Sequence, residues 1–241
     1  MFYAECLRLL SHSGIPFLLG GTFAVSAHTG LPPPQKDIDV FCKAGDYPRI
    51  LVYFRDLGYD TEVEDERWIA KIKRDDLFID VIFNSTVAVT PVTDQWFTDA
   101  VTVEIGGRPV PVLSPTELIW SKVFVQDRYR YDGADIVHII VKQCEKIDWR
   151  RLLSYMEQYW EVLFACIINF QFIYPAERHR IPRWLLDELI GRLQRTAELP
   201  IPQMKVCRGR LFSRGDYSVD ISEWGFADVV GEGDSRKGNG E

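Results

Sequence analysis

Two aspartates separated by one residue interrupt an apolar stretch at Lys36-Asp37-Ile38-Asp39-Val40-Phe41, and a third stands alone in Leu77-Phe78-Ile79-Asp80-Val81-Ile82-Phe83. Alternation along a strand puts the Asp37 and Asp39 side chains on one face, about 7 Å apart at their Cα atoms. Like charges at that separation repel, and holding them among apolar neighbours is costly unless a cation lies between them. Oxygen-only ligands suit magnesium, which keeps waters and takes its remaining ligands from a substrate phosphate. The bland alternatives are a solvent-facing strand edge for Asp-x-Asp and an edge strand with one wet position for Asp80. If a neighbouring strand brings Asp80 to the pair, three carboxylates surround two cations. That arrangement activates an attacking hydroxyl and neutralises a leaving pyrophosphate.

The elements that must position these residues follow from periodicity. Residues 2–10 read as a helix, 16–19 as a strand, 22–28 as a short helix, 38–41 as a strand and 47–57 as a helix. Strands are expected at 61–63, 68–73 and 77–83, the last two joined by the polar turn Arg74-Asp75-Asp76, with a further hairpin around Gly106-Gly107. From Ser114 onward helical patterns dominate, at 115–125, 134–142, 149–158, 162–172 and 182–197. The fold class is therefore α+β (α/β): a mixed β-sheet with flanking helices, followed by a helical C-terminal bundle. Residues 200–230 carry enough aromatics (Phe212, Tyr217, Trp224, Phe226) to dock on the body, and the Gly-rich, charged stretch 231–241 is expected to be disordered.

Just upstream of the aspartate strand, Phe17-Leu18-Leu19-Gly20-Gly21-Thr22 runs from an apolar strand through two glycines into a helix that Thr22 can cap. Amides at such a helix start point outward with partial positive charge, and the absent side chains let a phosphate approach; a plain tight turn is the alternative. Gly20-Gly21-Thr22, then Asp37-Ile38-Asp39, then Asp80 resembles the pattern of the DNA polymerase beta-type nucleotidyltransferase superfamily. The likeness covers roughly residues 15–140. It is closest to small bacterial members similar to the nucleotidyltransferase toxins of abortive-infection systems, with aminoglycoside nucleotidyltransferases more distant. The resemblance implies a magnesium-dependent transferase using two Mg2+ ions, with Mn2+ as a substitute, held by Asp37, Asp39 and Asp80. It also implies nucleotide contacts from Gly20, Gly21 and Thr22, and a catalytic domain over residues 1–113 ahead of a helical domain over 114–199. Members often carry Arg-x-Thr before the first aspartate, whereas this chain reads Pro32-Pro33-Pro34-Gln35-Lys36, leaving Lys36 to supply the positive charge.

In the helical half, Ser114-Pro115-Thr116-Glu117 forms a helix start with Ser114 as N-cap and Glu117 placed to close a capping box. Leu118, Ile119, Val123 and Gln126 trace the inward stripe, and Lys122 falls on it. A lysine there either snorkels to water or reaches an anion in the cleft. By resemblance, Lys122 would touch the triphosphate. In the following Arg-rich segment, Arg128 and Asp135 are further site candidates, while Asp132 reads as the N-cap of the next helix. Arg178-His179-Arg180 and Arg208-Gly209-Arg210 could hold an acceptor phosphate but read better as solvated surface, and His138 reads as a packed helix residue.

Composition narrows the classes. Cys6, Cys42, Cys144, Cys166 and Cys207 are scattered with no zinc spacing, so isolated thiols in a reducing compartment are expected. The absence of a basic-then-apolar leader or a long apolar run points to a cytoplasmic protein without a membrane partner. A net charge of −7 argues against binding duplex DNA. The expected reaction moves a nucleoside monophosphate from a nucleoside triphosphate to an acceptor hydroxyl on an RNA end such as tRNA, a protein or a small molecule. A catalytically weakened nucleotide-binding or antitoxin-like partner within a toxin–antitoxin pair is the second reading. A nucleotide-sugar glycosyltransferase with Asp-x-Asp is the third.

Overall fold

The computed structural model describes residues 2–32, 38–85, 89–105 and 107–230. Helix α1 (Phe2–Ser13) leads into the two-residue strand β1 (Leu18–Leu19), helix α2 (Gly21–Thr29) and strand β2 (Ile38–Phe41). Helix α3 (Tyr47–Asp56) precedes three strands, β3 (Asp60–Asp65), β4 (Ile69–Arg74) and β5 (Leu77–Ile82). A short helix α4 (Asp94–Thr98) and the hairpin β6 (Val101–Ile105) and β7 (Arg108–Val112) complete the sheet-forming half. The strands lie in the order β3-β4-β5-β2-β1-β7-β6; β2 runs parallel to β5 and β1 to β7, and the remaining pairs are antiparallel. This is the mixed sheet with flanking helices expected from the periodicity.

Alternation explains why the central strands serve two purposes. Ile38, Val40, Ala70, Ile72, Ile79 and Val81 are fully buried on one face. Asp39, Lys71 and Asp80, offset by one residue, occupy the other. The turn between β4 and β5 places Asp75 at φ 55°, a left-handed position that an aspartate tolerates better than most side chains.

The helical half comprises α5 (Pro115–Lys122), α6 (Gly133–Gln143), α7 (Trp149–Tyr155), α8 (Trp160–Ile173) and α9 (Arg183–Glu198). Helix α6 packs on α2, α5 and α8, so the apolar core runs without a break from Phe2 to Leu211. The start of α5 departs in one detail from the expected capping box. The Ser114 hydroxyl accepts the Thr116 amide at 3.3 Å, but it donates its own hydrogen bond to the Glu117 carboxylate, which does not reach back to the Ser114 amide. Glu117 is fully buried, 3.1 Å from Arg151 Nε, and burial raises its pKa.

The last described segment holds β8 (Val206–Cys207), α10 (Ser218–Ser222) and β9 (Ala227–Asp228), with β8 and β9 paired in parallel. It is tied down by charge. Arg210 pairs with Asp228, Arg208 with Glu161 of α8 at 3.2 Å, and the Asp216 carboxylate accepts the Arg128 amide at 3.0 Å. Of the Arg208-Gly209-Arg210 cluster, Arg208 stays on the exposed surface as expected, whereas Arg210 is largely buried against Asp228. All five cysteines are free thiols, and no described helix is long and apolar enough to cross a membrane. The tail 231–241 lies outside the described residues.

Buried His28 joins the two halves: its Nε2–H donates to the Leu113 carbonyl at 2.7 Å. Burial pushes its pKa below the ordinary histidine value. A folded-state pKa below the unfolded one means that the unfolded chain takes up the proton first as pH falls. The stabilisation is therefore complete above the unfolded value of about 6.5 and is lost progressively below it. Urea unfolding at pH 5.5 is expected to show about 1 kcal/mol less stability from this group than at pH 7.5. His28→Gln, which keeps a donor but does not titrate, should flatten that slope; an unchanged slope would remove His28 as its source.

Candidate active site

Parallel pairing of β2 with β5 sets Asp39 directly opposite Asp80. Adjacent strands lie about 4.8 Å apart, so the two carboxylates leave the same face side by side. Both line a cleft together with Gly21, Lys122, Asp127, Arg130 and Phe212. Asp37 and Lys36 belong to residues 33–37 and lie outside the described residues. Asp39 and Asp80 supply oxygen donors only, the set that suits a hard divalent cation. Among the described residues no group of three metal-ligating side chains forms.

The glycine turn is built around Asp39. The Gly20 amide donates to the Asp39 carbonyl at 2.9 Å, extending the β1–β2 ladder by one rung. Gly21 has φ +54°, and a Cβ placed there would lie 1.7 Å from Asp39 Oδ2. The turn therefore excludes any side chain, because the aspartate carboxylate occupies that space. Gly20 is the N-cap of α2, and Thr22 lies exposed one position into the helix with no capping hydrogen bond. The capping role expected of Thr22 is corrected accordingly: the helix begins one residue earlier because glycine accepts the backbone angles of the turn. Gly21→Ala should destabilise the chain by about 1–3 kcal/mol through left-handed strain and displacement of Asp39. Chemical denaturation checks this, and a loss under 0.5 kcal/mol would contradict it.

Lys122 does face inward and is almost fully buried. Its ammonium lies 2.7 Å from Asp132 and 2.8 Å from Asp135, at the rim of the cleft. Asp132 precedes α6 but makes no side-chain cap. Its carboxylate turns to Lys122 and Arg130 instead, which corrects its reading as a simple N-cap. Burial alone would raise the Asp132 pKa, but the charges and hydrogen bonds of Lys122 and Arg130 outweigh that and hold it below the usual carboxylate range. Arg128 is exposed, with Nε 3.6 Å from Asp216 of the C-terminal segment, and does not line the cleft. Arg130, two residues on, does; its guanidinium is 3.1 Å from Asp132, and the Asp39 charge acts on it.

Sequence reasoning missed Arg130, Phe212 and Trp68. Arg130 shares its alternation phase with Arg128, so only the turn between Gln126 and Tyr131 distinguishes them. Phe212 comes from the segment whose docking place the sequence leaves open. Trp68 stands at the start of a strand pattern and there reads as one more apolar residue.

The family model described as aminoglycoside-2''-adenylyltransferase matches residues 4–146, more than half of the chain. The chain belongs to this family of nucleotidyltransferases. The match falls on the group that the motifs placed second, after the abortive-infection toxins, and it sets aside the glycosyltransferase reading. It spans the glycine turn, all three aspartates, Lys122 and Arg130, whereas Phe212 lies beyond it. No curated protein matches.

Among solved structures, the chain is similar to ANT(2'')-Ia in complex with adenylyl-2''-tobramycin, at 15% identity over 66% of this chain and 97% of that one, with a TM-score of 0.47. It is also similar to the lincosamide antibiotic adenylyltransferase LnuA bound to lincomycin, at 19% identity over 57% and 92% of the two chains, with a TM-score of 0.41. An antigenic nucleotidyltransferase-like protein from Paracoccidioides brasiliensis is similar at 14% identity over 73% and 88%, with a TM-score of 0.44. These are distant likenesses of fold.

Proposed function

We propose that this chain transfers a nucleoside monophosphate from a nucleoside triphosphate to an acceptor hydroxyl, with release of pyrophosphate, at a site formed by Asp37, Asp39 and Asp80. The observation that carries the reading is the pairing of Asp39 with Asp80 across parallel strands, beside a glycine turn with no room for a side chain. Residues 1–113 are the catalytic part in this reading, and 114–199 supply the opposite wall.

Divalent cations held by these carboxylates would stabilise the charge that develops during phosphoryl transfer and favour the ionised acceptor hydroxyl. The chain itself orients the reactants. Backbone amides at the start of α2 face the donor phosphates, a role that requires the glycine backbone to approach closely. Arg130 places a positive charge over the Asp39 side of the cleft. Lys122 is held by Asp132 and Asp135, so its direction is fixed before substrate arrives. Phe212 and Trp68 provide apolar walls that limit water.

The test is transfer of label from each α-labelled nucleoside triphosphate, with Mg2+ or Mn2+ and again with a chelator, across aminoglycosides, RNA ends and proteins as acceptors. The reading expects chelator-sensitive transfer to at least one hydroxyl acceptor. Tight triphosphate binding without any transfer would point instead to a nucleotide-binding partner protein.

A further inference from the structure

Beside the catalytic cleft lies a second cavity of about 270 Å³, which shares Trp68, Asp127 and Phe212 with it. Three arginines line it: Arg67 from the β3–β4 turn, and Arg210 and Arg214 from the C-terminal segment. Two of them are already answered, Arg67 by Asp65 and Arg210 by Asp228. Among the described residues no carboxylate pairs with Arg214, and the Nε atoms of Arg210 and Arg214 are buried without a hydrogen-bond partner. The acids nearby already have partners: Asp65 binds Arg67, Asp228 binds Arg210, and Asp127 accepts the amides of Tyr129 and Arg130, both at 2.7 Å; the charges of Asp65 and Asp228 act on Arg214 without pairing with it. Burial, followed by the charges of Arg67 and Arg210, pushes the Arg214 pKa down. A guanidinium held near two others with unused donors is a site prepared for an anion.

Its position says which anion. Across the sheet, the glycine turn flanks β2 on the β1 side, Asp39 and Asp80 occupy the middle, and Trp68 lies beyond β5, where its carbonyl accepts the Phe83 amide at 3.0 Å. The arginines are therefore on the far side of the carboxylates from the turn that faces the donor phosphates. Trp68 and Phe212, both half-buried, offer ring surface between the arginines and the carboxylates.

We infer that Arg67, Arg210 and Arg214 form the acceptor subsite for a nucleotide-type acceptor, its phosphate on the arginines and its base against Trp68 or Phe212. The inference rests on the nucleotidyl-transfer reading for its direction, donor on one side and acceptor on the other. Arginine recognises phosphate in bidentate fashion, and base stacking on aromatic rings tolerates any base. The phosphate can come from a mononucleotide or from the end of a single strand.

The test is calorimetry on the full chain with α,β-methylene ATP and Mg2+ filling the donor side. Adenosine 5′-monophosphate is expected to bind at least ten-fold more tightly than adenosine. Arg214→Gln should remove that difference while changing the affinity for the ATP analogue less than two-fold; Arg67→Gln serves if the first variant fails to fold. Equal affinity for the monophosphate in wild type and variant would overturn the subsite, and so would displacement of the monophosphate by the analogue. A 5′-phosphorylated tetranucleotide that binds ten-fold more tightly than the monophosphate marks a strand end as the source, and equal affinity marks the mononucleotide. If the analogue fails to bind while the arginine effect persists, the transfer reading falls and the anion site stands.

Discussion

Asp39→Asn is expected to lower nucleotidyl transfer by on the order of 10³-fold while leaving the fold as stable as before, and Asp80→Asn should behave alike. In the proposed reading the catalytic loss follows from cation binding by the carboxylates, because an amide oxygen is a weak partner for a divalent cation. The unchanged stability follows from the register. Asp39 and Asp80 stand opposite each other on hydrogen-bonded strands, so neutralising one removes a repulsion between them. That repulsion is already eased by Lys71, whose Nζ is 4.0 Å from Asp80, and by the Arg130 charge acting on Asp39. The stability change should therefore stay within about 1 kcal/mol. Turnover with labelled triphosphate, read beside urea unfolding of the same samples, decides the matter. A variant that unfolds would show the carboxylates to be structural, and one that retains full turnover would remove them from the chemistry.

Lys122→Met should destabilise the chain by about 3–5 kcal/mol, the expected cost of removing one partner from a buried ion pair. Lys122 is 3% exposed and Asp132 9%, so solvent cannot replace the lost ammonium. Methionine fills a similar volume, which leaves the loss of charge beside Asp132 and Asp135 as the main source of the destabilisation. Asp132 then retains Arg130, but Asp135 loses the cation 2.8 Å from it. Adding Asp135→Asn to Lys122→Met should recover part of the stability, whereas a simple packing defect would deepen with a second substitution. Unfolding midpoints of the single and double variants separate the two.

The sheet and the shared face of Asp39 and Asp80 could be read from the sequence because both depend on the two-residue period of strands. The edges of β2, the placement of α3 and the β6–β7 hairpin follow from apolar alternation and glycine turns. The strand expected at 16–19 shortens to Leu18–Leu19 because β1 must pair on both sides within a narrow window before the Gly20 turn. Helix 149–158 ends at Tyr155, where Met156 and the turn after it redirect the chain into α8. Asp132 illustrates the limit of local rules. Its sequence context is that of an N-cap, but Lys122, ten positions earlier, supplies a stronger partner that only the packing of α5 against α6 brings near. Of the arginine cluster, Arg210 belongs to a segment whose sequence already offers a phosphate site, but its meeting with Arg67 and Arg214 was hidden, since those two are separated by most of the chain.

Because the Asp39–Asp80 spacing is fixed by backbone rungs, the ladder works as a ruler that ignores how neighbouring side chains repack. Sliding either strand by one residue would turn one aspartate into the apolar layer and bring isoleucine or valine into its place. Such a misfolded chain would remain compact but lose the proposed site, so under that reading the fraction of active molecules in a preparation reports on whether β2 and β5 have zipped in register.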